Sequence, residues 1–236
     1  MNDSAINATW ERFELTPEGA VWDAAASVLW VADVHLGKAA TYRRLGMPVP
    51  AGTTASNLLR LEGVLARTSA AHVVILGDLV HSRLGVDREL SAQVEAWRAR
   101  HARVRLTLIE GNHDRRSGQL PASWRIETVG QPLHVAGVEC RHEPPVIRTS
   151  AASDTGGQSG FCFAGHVHPA VTLDGPARDR VRLPCFFARN RLLLLPAFGD
   201  FTGGANVHEV RLGRPTALFA LTGQHVIQVS LPATAG

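Results

Sequence analysis

Long apolar stretches are missing from this 236-residue sequence. The densest run, residues 192–195 followed by Pro196, falls far short of the roughly twenty residues that cross a bilayer, so no membrane span is expected. Cysteine is scarce: Cys140, Cys162 and Cys185 are an odd set without Cys-x-x-Cys spacing. That pattern fits neither a disulfide framework nor a thiolate zinc site, and the three read as reduced core residues. The first residues lack the basic-then-apolar order of a secretory signal, since Asp3, Glu11, Arg12 and Glu14 interrupt them. A cytoplasmic location is the expectation. Lys38 is the sole lysine and Tyr42 the sole tyrosine, and no aromatic-rich platform for single strands is recognisable. The formal charge of +3 permits a polyanionic partner without requiring one.

What is present is a run of short apolar segments bounded by turn residues. Residues 28–32, 73–76, 104–109, Phe161–Ala164 and 192–195 read as buried strands. Between the first two, Leu58, Leu61 and Leu65 recur at helical spacing over 53–68, behind threonines able to cap the helix. Leu90, Val94 and Trp97 do the same over 88–101. Strand, helix, strand, helix, strand predicts an α/β sheet with crossover helices. The second half reads as mostly β, with further strands at 135–140, 207–212, Ala217–Leu221 and 226–231, and 150–159 as a small, polar surface loop. No repeat or interdomain linker interrupts the chain, so a single domain over 1–236 is expected.

The polar residues cluster where these strands end. Asp33 and His35 follow the first strand, Gly77-Asp78 the second, Gly111-Asn112-His113-Asp114 the third and Gly165-His166-Val167-His168 the segment Phe161–Ala164. Ligand sites in open α/β sheets form beyond the carboxyl ends of strands, so four such clusters predict one site. In an extended chain Asp33 and His35 would face the same side. The set mixes imidazole, carboxylate and one amide without thiolate, which suits divalent Mn²⁺ first, with Fe or Zn²⁺ possible. Two metals in a hydrolytic site sit about 3.5–4 Å apart and a carboxylate can bridge them. Asp78 is the candidate bridge.

In this order the motifs D-x-H, G-D, G-N-H-D, a lone histidine and G-H-x-H resemble the calcineurin-like metallophosphoesterase superfamily. The resemblance implies a four-layer α/β/β/α sandwich with two mixed sheets. It implies one metal ion held by Asp33, His35, Asp78 and His168, and a second by Asp78, Asn112, His142 and His166. His142 is taken as the lone histidine because it lies between the Asn112 and His166 motifs; His134 competes. It also implies a metal-bridging hydroxide as nucleophile and His113 as electrophile or general acid at the leaving group. Asp114 beside it would orient the imidazole and keep it protonated.

Lys38, Arg43, Arg115 and His81 lie near these motifs in sequence and are candidates to contact substrate phosphate. A solvated face for the arginines and a cap for His81 are the competing readings. His72, His101, His208 and His225 are read as structural.

Residues 38–50 and 195–204, with the rest of the chain, resemble the bacterial ligase-associated DNA-damage-response phosphoesterase family. That likeness implies a manganese-dependent phosphodiesterase with single-strand DNA endonuclease activity, DNA as substrate, and functional association with a DNA ligase and a helicase. Rival readings are a hydrolase of small nucleotide or lipid-linked pyrophosphates, a phosphomonoesterase, and a noncatalytic interaction module. The last predicts eroded motifs, which this sequence lacks.

Overall fold

Strands in this sequence run as near-continuous apolar stretches because both faces of the central sheet are covered. The computed structural model describes residues 10–146, 160–175, 179–210 and 212–229. Strands β1 (Glu14–Leu15), β2 (Val21–Asp23) and β3 (Val28–Val31) form an antiparallel meander. From β3 the sheet continues in parallel through β4 (His72–Ile75), β5 (Arg105–Ile109) and β6 (Glu127–Val129). Helices α1 (Lys38–Arg44), α2 (Thr53–Thr68) and α3 (Arg88–Arg100) lie in the crossovers. Leu58, Leu61 and Leu65 of α2 and Leu90, Val94 and Trp97 of α3 share one apolar cluster with Leu29, Val31, Val73, Ile75 and Leu108. The helical period puts those side chains on one stripe, and burying it holds each helix to the sheet.

A short helix α4 (Asn112–Ser117) follows β5. The second sheet then takes β7 (Leu133–Val135), β8 (Val138–Arg141), β9 (Phe161–Ala164), β10 (Pro169–Asp174), β11 (Arg180–Arg189), β12 (Leu192–Leu194) and β13 (Ala205–Asn206), in the order β13-β10-β11-β12-β9-β8-β7. It is mixed: β9 runs parallel to both β8 and β12, while β11 is antiparallel to β10 and β12. A hairpin of β14 (Ala217–Leu221) and β15 (Val226–Val229) joins along β11.

The side-chain period of two sorts this sheet. Phe163, Phe186 and Leu193 face the first sheet and pack with Trp30, Val74 and Ile109, the Trp30 and Phe163 rings meeting edge-on at 5.3 Å. Their neighbours Cys162, Phe187, Leu192 and Leu194 face the other way, where Val207 and Val210 cover them. The chain is thus an α/β sandwich of two mixed sheets; among the described residues a 3₁₀ turn, Val207–Glu209, closes the outer face of the second sheet.

Several local expectations change. Residues 207–209 are that turn rather than a strand, because Asn206 caps it by accepting from the His208 amide. The expected strand 135–140 is broken at Ala136 and Gly137, both at positive φ, where β7 turns back into β8. Residues 38–44, assigned no element from the sequence, form helix α1. The threonines that open α2 do not cap it: Gly52 holds that position, and the Thr54 hydroxyl accepts instead from the amide of Gly37. The loop 150–159 lies outside the described residues. No helix is long and apolar enough to cross a membrane among them.

Candidate metal centre

The carboxyl ends of β3, β4, β5, β8 and β9 converge, and each delivers polar side chains to one point. Asp33 and His35 are not extended. Both sit at positive φ, 53° and 50°, as do Asp78 at 50°, His166 at 67° and His168 at 50°. Past its strand the chain kinks at each of these residues, and such sparsely populated conformations concentrate at functional sites. Hydrogen bonds lock the kinks: Asp33 N–H donates to Gly77 O at 3.1 Å and His35 N–H to Asp78 O at 2.9 Å.

The two carboxylates are held alike. Asp33 Oδ2 accepts the His166 amide at 2.8 Å, and Asp78 Oδ1 accepts the His113 amide at 2.8 Å. Each therefore keeps one oxygen aimed into the site. Asp33 Oδ1 lies 3.3 Å from His168 Nε2, and Asp78 Oδ2 lies 3.6 Å from His142 Nε2. Two groups result, Asp33, His35 and His168, and Asp78, His142 and His166, each with ligand atoms within 4.8 Å of one another. His142, fully buried, joins them, its Nδ1 lying 3.8 Å from Asp33 Oδ1. His134 is on β7, its side chain 67% exposed and paired with Glu139.

Whether these atoms suit cations is decided by their protons. His142 Nδ1 bonds Leu76 O at 3.0 Å, and a carbonyl can only accept. The neutral ring must then present a lone pair at Nε2, which faces the Asn112 Oδ1 acceptor at 2.9 Å. His168 repeats the arrangement: its Nδ1 bonds Gly203 O at 3.1 Å, leaving Nε2 toward Asp33 Oδ1, both buried and without a hydrogen-bond partner among the described residues. A cation between such acceptors would satisfy both, and backbone-oriented imidazoles are the usual support of metal ligands. The donor set fits two divalent ions.

A model of the calcineurin-like phosphoesterase family matches residues 26–185. The chain belongs to that family. As a calcineurin-like phosphoesterase it is a metal-dependent hydrolase of phosphoesters. It is 35% identical to the nuclease MPE of Pseudomonas putida, over 92% of this chain and 94% of that one, with a TM-score of 0.74. It is also 33% identical over 109 residues, 46% of its length, to the DNA double-strand break repair protein Mre11 of Archaeoglobus fulgidus. That match spans 24% of the relative.

Around the ligand atoms of this phosphoesterase, burial and neighbouring charge set the protonation states. Burial, then Lys38 and three neighbouring histidines, push His35 down to about 2, so it stays a neutral lone-pair donor. Burial also lowers His166. In His168 burial works the same way, but the Asp33 carboxylate and the Gly203 carbonyl outweigh it and raise the ring above its ordinary value.

His113 borders both groups, its Nε2 4.0 Å from Asp78 Oδ2. Its Nδ1 bonds the His81 carbonyl at 2.7 Å, which turns Nε2 toward the site. Asp114 does not orient this ring. Its two oxygens accept the Val80 amide at 3.1 Å and the Gly111 amide at 3.0 Å, so it caps α4 and ties the Asp78 loop down. Burial pushes it up to about 6.

Of the residues considered for phosphate, Lys38 reaches the site. It is buried at the start of α1, and although burial lowers its ammonium pKa, the Asp33 and Asp78 charges act against that. His81 also reaches it, its ring stacked on His113 at 4.7 Å and pushed down to about 4 chiefly by burial. Arg43 does not: it is exposed and donates to Pro50 O at 3.0 Å. Arg115 is exposed, bonded to Glu110 O at 3.2 Å and paired with Glu143 at 3.7 Å.

Sequence reading misses the residues that act through the backbone. Gln131 Oε1 accepts the His142 amide at 2.9 Å. Buried Asn57 donates to Val34 O at 3.0 Å and accepts from Asp200 N–H at 2.9 Å, joining the Asp33 loop to the loop at 197–204. A polar residue on the apolar stripe of α2 was the available signal for Asn57; Gln131 carries none.

Close approach explains one glycine. A Cβ at Gly77, at φ 82°, would stand 2.1 Å from His142 Nδ1. Gly77→Ala is therefore expected to displace His142 and weaken divalent-metal binding about 10- to 100-fold, the scale on which disturbing a metal site's support is felt. Calorimetric titration of the apoprotein measures it; an unchanged affinity would mean that His142 need not hold this position.

Proposed function

We propose that this phosphoesterase is a single-strand DNA endonuclease that works with two Mn²⁺ ions in DNA repair. In this reading Asp33, His35 and His168 hold one ion, Asn112, His142 and His166 the other, and Asp78 reaches both. The observation that carries it is the double convergence of lone-pair donors, with His142 set between Asp33 and Asp78. Bound divalent ions lower the pKa of water and polarise a phosphoryl oxygen. The chain's own residues do the rest: the amides of His113 and His166 aim the carboxylates, Lys38 offers positive charge beside the phosphate, and His113 Nε2 delivers a proton to the departing oxygen.

The DNA substrate is supported by the similarity to nuclease MPE and, over a shorter stretch, to Mre11. Manganese is supported by the mixed imidazole, carboxylate and amide donors. Action alongside a DNA ligase and a helicase rests on the family resemblance of residues 38–50 and 195–204. Three free buried cysteines agree with a reducing, cytoplasmic setting.

The test is incubation with closed circular single-stranded DNA and Mn²⁺, with and without EDTA. Circles offer no ends, so metal-dependent linear product is the expected result and identifies an endonuclease. Circles that survive while bis-p-nitrophenyl phosphate is hydrolysed would overturn the DNA reading in favour of a small phosphodiester.

A further inference from the structure

Phe201 is a large apolar side chain left 52% exposed. It stands at φ 63°, a left-handed conformation unfavourable for a bulky residue. Closing the core requires neither feature, since the preceding aromatic, Phe198, is already buried there. The loop that carries Phe201 is firmly tied. Gly199 N–H donates to Asp33 O at 3.0 Å, Asp200 N–H to Asn57 Oδ1 at 2.9 Å, and Arg60 pairs with Asp200 at 2.7 Å. An exposed ring on a fixed loop, in an unfavourable backbone conformation, is presented rather than left over.

Its neighbours tell what it is presented to. The Tyr42 ring lies 6.3 Å from Phe201 and 5.4 Å from His81. His81 stacks on His113 at 4.7 Å, and His113 meets His35 at 5.2 Å. A row of rings thus runs from the metal centre out to Phe201. Phe201 also lines a cavity of about 570 Å³ whose wall includes His168. The cavity therefore opens from the same centre, with the aromatic edge at its border.

We propose that Phe201, backed by Tyr42, is a stacking subsite for a nucleobase flanking the phosphodiester that is cut, the cavity beyond taking the continuing strand. The proposal rests on the nuclease reading above. Aromatic faces stack on any base, which gives grip without sequence preference. A base paired in a duplex has no free face to offer, so the subsite also selects single strands.

The test compares two strands of equal length and charge, oligo-dT and an all-abasic oligonucleotide, in Mn²⁺. Wild type is expected to show a KM about tenfold higher for the abasic strand, in the range of one stacked base. In Phe201→Ala, and in Phe201→Leu, which keeps an apolar side chain but no π face, the two KM values should converge. A wild type indifferent to the bases, or a preference that persists in both variants, overturns the subsite alone. A wild type that cuts neither strand yet hydrolyses bis-p-nitrophenyl phosphate overturns the nuclease reading and the subsite with it.

Discussion

Asp78→Ala is expected to lower kcat/KM for phosphodiester hydrolysis by at least about a hundredfold, the scale on which loss of one preorganised charge-stabilising group is felt. Two functions meet in this side chain. Oδ1 receives the His113 amide at 2.8 Å, which aims the carboxylate and fixes the start of α4. Oδ2 stands 3.6 Å from His142 Nε2 and faces the ions proposed here. Alanine removes both; Asp78→Asn keeps an acceptor for the amide but removes the charge. Rates on bis-p-nitrophenyl phosphate and Mn²⁺ titrations of both variants separate the two functions. Asparagine should fold as wild type does, bind less metal and fall nearly as far in rate. A Asp78→Asn protein with wild-type turnover would remove Asp78 from the ion set.

The second large effect concerns His113 and depends on the leaving group. A positioned general acid contributes about 10²- to 10⁴-fold, but only where the departing oxygen needs a proton. The alkoxide released from DNA needs one; p-nitrophenolate leaves readily without it. His113→Ala should therefore slow DNA cleavage by a factor in that range and bis-p-nitrophenyl phosphate hydrolysis far less. The ring is placed for this by the His81 carbonyl at Nδ1, with Nε2 turned to the site. Equal losses on the two substrates would show that His113 acts otherwise, as an electrophile on the phosphate or through the Asp78 bond.

Much of the fold was legible because its strands and helices carry strong periods. Phe161–Ala164 and Ala217–Leu221 run as expected from their apolar content, and Leu90, Val94 and Trp97 form the buried stripe of α3. Missed were β10 and β11: Pro169 and Pro184 lie within them, and the long β11 carries three charged residues, all arginines. Such a pattern reads as loop until the partner strands are known. The helix at Lys38–Arg44 was likewise hidden, since seven residues are too few for a periodic signal.

The site divides along the same line. Local sequence marked the residues that converge, because a glycine followed by carboxylate, amide or imidazole at a strand end can be recognised wherever it occurs. Only the tertiary structure decided how they are used. Asp114 lies beside His113 in sequence, yet its oxygens turn to the amides of Val80 and Gly111, while the His113 ring is held by a carbonyl 32 residues away. Tyr42 and Phe201 become one aromatic edge across 159 positions. Proton placement, burial and ring contacts depend on distances through space, and the packing of the two sheets brings those distances about.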